Sequence, residues 1–205
     1  MTDVSAAKVR RPILIERVRP AVDGGRFPVK REVGDRLEVS ADILKEGHER
    51  LAAVIRYRAD ADPDWREAPL QPADNDAWTG SFPLLVNARY RYTIEAWTDV
   101  FGSWVEEMRR RTEAGQSDLA SEIAEGTELV RRARERARGA DTAALLEAAL
   151  DRLAGSLDES AQVNVLLEAG LEQAMARAQE RRDLTRLDRE LTVVADRVQA
   201  RFASW

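Results

Sequence analysis

Two periods of hydrophobic repetition divide this chain. Up to about residue 100, apolar side chains recur at every second position, the spacing of strands whose alternate residues enter a core. Leu37, Val39, Ala41 and Ile43 alternate with Glu38, Ser40 and Asp42, and Leu51, Ala53, Ile55 and Tyr57 repeat the pattern. Between these runs, Lys45-Glu46-Gly47-His48-Glu49 has the composition of a turn. Trp78, Gly80 and Phe82 alternate after the polar break Asp74-Asn75-Asp76, and Tyr90, Tyr92, Ile94 and Ala96 alternate with Arg89, Arg91, Thr93 and Glu95. Short strands with turns at this spacing predict an antiparallel β-sandwich of the immunoglobulin-like kind.

From about Trp104 the period becomes helical. Leu119, Ile123 and Val130, then Leu145, Leu146, Ala149, Leu150 and Leu153, then Val163, Leu166, Leu167, Leu171, Ala174 and Met175 fall on amphipathic faces. The breaks Arg138-Gly139-Ala140-Asp141 and Gly155-Ser156-Leu157-Asp158 are short, with Asp141 and Asp158 or Ser160 placed as N-caps. Helices joined so closely should run antiparallel, which predicts a small bundle.

Near the end the period returns to two. Leu191, Val193 and Ala195 alternate with Thr192, Val194 and Asp196. A lone strand cannot satisfy its own backbone donors and acceptors, so it is expected to rejoin the sheet begun before residue 100. The resulting expectation is a mixed α+β chain: a β-sandwich over 1–102 completed by 190–205, split by an inserted helical bundle over 103–189. The closing Arg201-Phe202-Ala203-Ser204-Trp205 has two large aromatics and no polar tail, which reads as the edge of a larger polypeptide.

Composition narrows the functional classes. At 205 residues and 44% hydrophobic, the chain can fill a core. A net charge of -5 supplies no basic footprint for nucleic acid. Cysteine is absent, so disulfides, thiolates and sulfur-bound zinc are excluded, and the expected compartment is the reducing cytoplasm. No run of about 18 apolar residues suggests a membrane span. The one histidine, His48, lies in a polar turn beside Glu46 and Glu49, where a solvated imidazole is commoner than a general base.

The remaining candidates also read as structure. Gly24-Gly25 is followed by no Lys-Ser or Lys-Thr and is taken as a turn rather than a phosphate loop. Asp60, Asp62 and Asp64 resemble the start of a calcium loop, but Pro63 intervenes and the sixth-position Gly and twelfth-position Glu are missing. Arg109-Arg110-Arg111 and the Arg131 to Arg138 run could form a phosphate patch, yet Glu106, Glu107, Glu113, Glu128 and Glu135 are interleaved, which favours salt-bridged helix faces. Trp65, Trp78, Trp97 and Trp104 could stack on sugar rings. Trp78 is in phase with Phe82 and assigned to the core, whereas Trp97 is out of phase with Tyr92 and Ile94, which points it toward an interface. No residue is assigned as catalytic, cofactor-binding or metal-ligating.

An ordered series of segments resembles the N-terminal region of the α-1,4-glucan:maltose-1-phosphate maltosyltransferases. It comprises Asp23-Gly24-Gly25-Arg26-Phe27-Pro28-Val29-Lys30, Val39-Ser40-Ala41-Asp42-Ile43 with Glu46-Gly47-His48, Asn75-Asp76-Ala77-Trp78, Tyr92 to Asp99, and Ala200 to Trp205. The resemblance implies a parent enzyme of the α-amylase superfamily that transfers maltosyl units from α-maltose 1-phosphate to an α-glucan, with retention, in a barrel following Trp205. It further implies a non-catalytic part for this chain, packed against its own barrel and contributing to a homodimer, with no cofactor. The alternative is an independent α-glucan-binding module.

Overall fold

The structure, a computed structural model, describes residues 13–155 and 158–197, and these form nine strands and five helices. They divide into two compact units. The first comprises residues up to Gly47, Leu51–Trp97 and the stretch from Asp183; the second comprises His48–Arg50 and Thr98–Arg182.

The first unit is a curled, mixed sheet around one hydrophobic core. Its strands are β1 (Leu14–Arg19), β2 (Val29–Glu32), β3 (Arg36–Leu44), β4 (Leu51–Ala59), β5 (Arg66–Asp74), β6 (Ala77–Pro83), β7 (Ala88–Thr98), β8 (Arg182–Arg186) and β9 (Leu191–Asp196). The hydrogen-bonded order is β1-β3-β6-β5-β4-β7-β9-β2, with β8 also pairing β7. The alternation read from sequence sets the register between β3 and β6, where Leu37 lies opposite Phe82, Val39 opposite Gly80 and Ala41 opposite Trp78. Phe82 is fully buried and stacks on Tyr57 with centroids 4.5 Å apart, and Tyr92 lies 5.5 Å from it at a tilt. Gly80 is required where the backbone of β5 crosses closely. A Cβ there would stand 2.4 Å from the Pro69 carbonyl oxygen.

The strand expected near the chain's end does return to the sheet. β9 lies between β7 and β2, with Tyr90 opposite Val193 on one side and Val29 opposite Val193 on the other. The β2–β9 pair is parallel, so the sheet is mixed where an antiparallel one was expected. Parallel neighbours need a long connection, and the whole intervening chain supplies it.

Tyr92 shows how closed this core is. Its hydroxyl donates to the Pro20 carbonyl at 2.9 Å, and burial pushes the phenol up to about 12 against a smaller lowering pull from Arg31. An unfolded chain ionises this group near pH 10, so the folded state keeps a proton that the unfolded state has lost. Stability contributed here is therefore complete below about pH 10 and disappears as pH rises toward 12. The expected size is about 2.5 kcal/mol between those limits. Urea titrations at stepped pH should show a steeper loss for the native chain than for Tyr92→Phe, and equal slopes would contradict the assignment.

The second unit is helical: α1 (Val100–Glu113), α2 (Ala120–Arg136), α3 (Ala140–Ala154), α4 (Glu159–Leu166) and α5 (Ala169–Arg177), packed on a shared core that includes Trp104, Met108, Val130, Leu146, Leu166 and Met175. Asp99 caps α1 by accepting from the Gly102 N–H at 3.0 Å, and Asp158 caps α4 from the Ala161 N–H at 2.7 Å. Gly126 lets α2 meet the Trp104 indole, since a Cβ there would be 2.4 Å from its ring, and the Trp104 Nε1–H donates to the Glu122 carbonyl at 3.1 Å. The loop His48–Arg50 is tied into this unit, because the Arg50 N–H donates to Ser103 Oγ and the Asp99 N–H donates to the Arg50 carbonyl, each at 2.8 Å.

Some expectations change. Leu145 is 49% exposed, because the core-facing row of α3 is Leu146, Ala149 and Leu153 and a neighbour one position away turns off that face. The α3 cap is Gly139, with Asp141 inside the first turn. Ser156, Leu157 and the Ala200–Trp205 segment lie outside the described residues.

Candidate functional site

The most deeply buried charge of the first unit lies on β7. Thr93, Glu95 and Trp97 occupy the strand positions opposite in phase to Tyr92, Ile94 and Ala96, and both sets are buried. Glu95 is 1% exposed. Its Oε1 accepts from Arg56 Nη1 on β4 at 3.3 Å, from Arg186 Nε at the end of β8 at 2.8 Å, and from Arg186 Nη2. A carboxylate held by two guanidiniums is a fixed cross-tie between three strands. At 1% exposure it is closed off from any substrate in solution.

Beside this cross-tie lies Trp65. The Arg58 guanidinium is 5.0 Å and that of Arg56 5.8 Å from its ring, so cations of the protein itself lie over the indole. The Arg56 and Arg58 Nε atoms are buried without a hydrogen-bond acceptor, a cost that the contact with the indole partly offsets. Trp78, Trp97 and Trp104 are all buried, at 7%, 2% and 7% exposed. Trp97 is buried although out of phase with Tyr92 and Ile94, since β7 is buried on both faces from Tyr92 to Thr98 and phase does not separate core from surface there.

The other residues singled out by sequence are dispersed. His48 is exposed in its turn. Gly24 and Gly25 form a tight turn with positive φ, closed by the Gly25 N–H donating to the Val22 carbonyl at 3.1 Å. Asp60 pairs with Arg91 at 2.8 Å and Asp62 with Arg66 at 3.3 Å. Among the described residues no group of His, Asp and Glu could hold a metal ion. Arg109 pairs with Glu172, Arg110 with Glu107, and Arg111 with both Glu107 and Glu122. Glu128 is held below the usual carboxylate range by hydrogen bonds from Arg132 and then Arg131, and Arg134 pairs with Glu147 at 2.6 Å.

Among the clefts formed by the described residues, two open to solvent each lie within one unit. A cleft of about 690 Å³ in the sheet unit is lined by Arg19, Arg31, Glu38, Ser40, Thr79 and Ser81 among others. A cleft of about 840 Å³ in the helical unit is strongly basic. Neither lining includes a tryptophan, which a sugar cleft would use for stacking.

Comparison with known proteins decides the family. Residues 11–197 match the family described as alpha-1,4-glucan:maltose-1-phosphate maltosyltransferase, domain N/S. The chain belongs to this maltosyltransferase domain N/S family. Proteins named alpha-1,4-glucan:maltose-1-phosphate maltosyltransferase are similar to it along nearly all of its length. That of Myxococcus xanthus (strain DK1622) is 42% identical, covering 94% of this chain and 30% of the relative. That of Burkholderia pseudomallei (strain K96243) is 38% identical, covering 98% and 18%. That of Chlorobaculum tepidum is 34% identical, covering 96% and 29%. The chain therefore spans at most about a third of the maltosyltransferases it matches, and corresponds to their N-terminal region. The described residues contain no helix long and apolar enough to cross a membrane.

Proposed function

We propose that this chain is the non-catalytic scaffold and dimerisation region of a maltosyltransferase that moves maltosyl units from α-maltose 1-phosphate to an α-1,4-glucan. The observation that carries the reading is the coverage: nearly the whole chain is matched, yet it accounts for only 18–30% of these three relatives. The rest of such a parent would hold the catalytic barrel, and the parent would be cytoplasmic and homodimeric. Within this reading the sheet unit is an immunoglobulin-like sandwich and the helical unit a bundle inserted into it.

The physical support lies in how the carboxylates are used. Retaining glycosyl transfer needs two carboxyl groups about 5 Å apart across the anomeric carbon. Here Glu95 and Glu128 are each engaged by two arginines, and Asp60, Asp62, Glu107, Glu147 and Glu172 each by at least one. Arginine-saturated acids make rigid surfaces. A rigid support contributes to catalysis by holding other residues in place, where a displacement of about 1 Å can cost on the order of a hundredfold in rate.

Phosphate release from α-maltose 1-phosphate with a malto-oligosaccharide acceptor tests this reading. The 205-residue chain should give background release and the parent polypeptide turnover, while light scattering on the parent should report twice its chain mass. Turnover by the isolated chain, or a parent that stays monomeric across a concentration series, would overturn the proposed role.

A further inference from the structure

The basic run over Arg131 to Arg138 separates into two parts. Its beginning is salt-bridged, with Arg131 and Arg132 sharing Glu128 and Arg134 on Glu147. Its end is not. Arg136 uses Nε to hold the Ala178 carbonyl at 3.2 Å, and Arg138 has no acidic partner among the described residues. Arg138 lines the cleft of about 840 Å³ together with Arg136, Arg177 and Arg181, against one acid, Glu135. Arg177, like Arg138, makes no ion pair among the described residues. Four guanidiniums facing one open cleft with one carboxylate give a local positive potential in a chain whose net charge is -5.

The floor of the cleft includes the start of α3. This 15-residue helix is capped by Gly139 with no side-chain acceptor, so the first N–H groups lack the oxygen that Ser, Asp or Asn would provide. Thr142, at the third helical position, also lines the cleft. It is 9% exposed, and its hydroxyl makes no hydrogen bond among the described residues. The residue is nine-tenths buried while its Oγ1 is not sealed from solvent, so the unpartnered hydroxyl is a donor presented at the cleft. Asp141 supplies negative charge in the first turn but is not in the lining.

We propose that this cleft binds a phosphate-type oxyanion, with Arg138 and Arg177 supplying charge and the Thr142 hydroxyl and the first N–H groups of α3 donating hydrogen bonds. Part of the arginine content has another use, since Arg136 and Arg177 end α2 and α5, where cations offset the negative ends of the helix dipoles. That compensation explains neither Arg138, which lies beyond α2, nor the glycine cap, nor the unpartnered Thr142. Planar guanidinium forks with a helix N-terminus match the tetrahedral oxygens of phosphate, and the open mouth leaves room for the group esterified to it. The site does not depend on the maltosyltransferase reading.

The test is titration of the 205-residue chain with inorganic phosphate at fixed ionic strength, followed by calorimetry and by amide shifts of Ala140, Asp141 and Thr142. Saturable binding with those amides moving is expected, weakened about tenfold for each charge-assisted contact removed in Arg138→Ala and Arg177→Ala. Arg131→Ala with Arg132→Ala, which removes two cationic side chains away from the cleft, should leave it within about twofold. Thr142→Ser should retain binding and Thr142→Val lose it, provided far-UV circular dichroism is unchanged. A second arm with α-maltose 1-phosphate separates a free phosphate site, for which the ester binds no better, from a phosphoester site, for which it binds more tightly. Absence of saturation with both probes, or equal losses in the cleft and control variants, would overturn the proposal.

Discussion

Truncation before Leu191 should unfold the sheet unit while leaving the helical unit largely intact. Leu191, Val193 and Ala195 are at most 1% exposed, and full burial of such side chains contributes about 1.5–3 kcal/mol for each large one. Their loss is compounded on both sides, because β7 and β2 each lose a hydrogen-bonding neighbour and β2 has no other partner in the strand order. A unit with total stability on the order of 5–15 kcal/mol does not survive such a deletion. By contrast, α1 to α5 form their own core from Phe101 to Ala178, with nothing contributed by β9. Chain ending at Glu190 should therefore lose near-UV signal from Tyr57, Tyr90 and Tyr92 while keeping most helical far-UV signal. The single substitution Val193→Asp should act in the same direction, and Leu145→Lys, on an exposed position, should change stability by under about 0.5 kcal/mol. A truncated chain with native tyrosine signals would refute the closing role of β9.

Replacing Glu95 should be nearly as damaging. The carboxylate is buried, whereas Arg56 and Arg186 have side chains 24% and 59% exposed. Removing one member of a buried charge network costs about 3–5 kcal/mol, mostly from the charge left behind. Glu95→Ala strands Arg56, which is less able than Arg186 to turn toward water and whose remaining acid is Glu67 at 3.9 Å. Arg186→Ala takes the 2.8 Å contact from Glu95 while the longer 3.3 Å contact from Arg56 stays. Each should lower the urea midpoint strongly, and the double variant should cost clearly less than the sum of the two, since one change removes the group that the other strands. Additive losses, or a Glu95→Ala change below about 1 kcal/mol, would show that the triad is not a unit.

The sequence revealed the elements whose two faces meet different surroundings. β3, β4, β6 and the first half of β7 alternate because one face is core and the other is not, and β9 was found in the same way. β7 beyond Tyr92 escaped this logic, as burial on both faces erases the period that would have located Trp97. β1 and β8 escaped for the opposite reason: in Leu14–Arg19 only Val18 is fully buried, and in Arg182–Arg186 no residue is, so their sequences resemble loops. The Glu95 cross-tie was equally hidden, since Arg56, Glu95 and Arg186 are far apart in sequence and a lone Glu in an alternating strand reads as a solvent-facing position. A buried charge leaves no periodic trace. The basic cleft was half legible, because interleaved acids explain the beginning of the Arg131–Arg138 run but only the fold shows that its end meets Arg177 and the start of α3.

The parallel pairing of β2 with β9 sets the order in which this polypeptide can mature on the ribosome. Val29 is synthesised long before Val193, and at about 5–20 residues per second the delay is on the order of ten seconds. Thr98–Arg182 is continuous and complete by then, so its helices can fold while the sheet still waits. Throughout that interval β2 and the β9-facing side of β7 are unpaired edges, open to adventitious pairing with other nascent chains. Translation speed through the helical segment therefore sets how long those edges stay exposed. Synonymous pauses placed between codons 98 and 182 should raise aggregation without altering any residue of the finished protein.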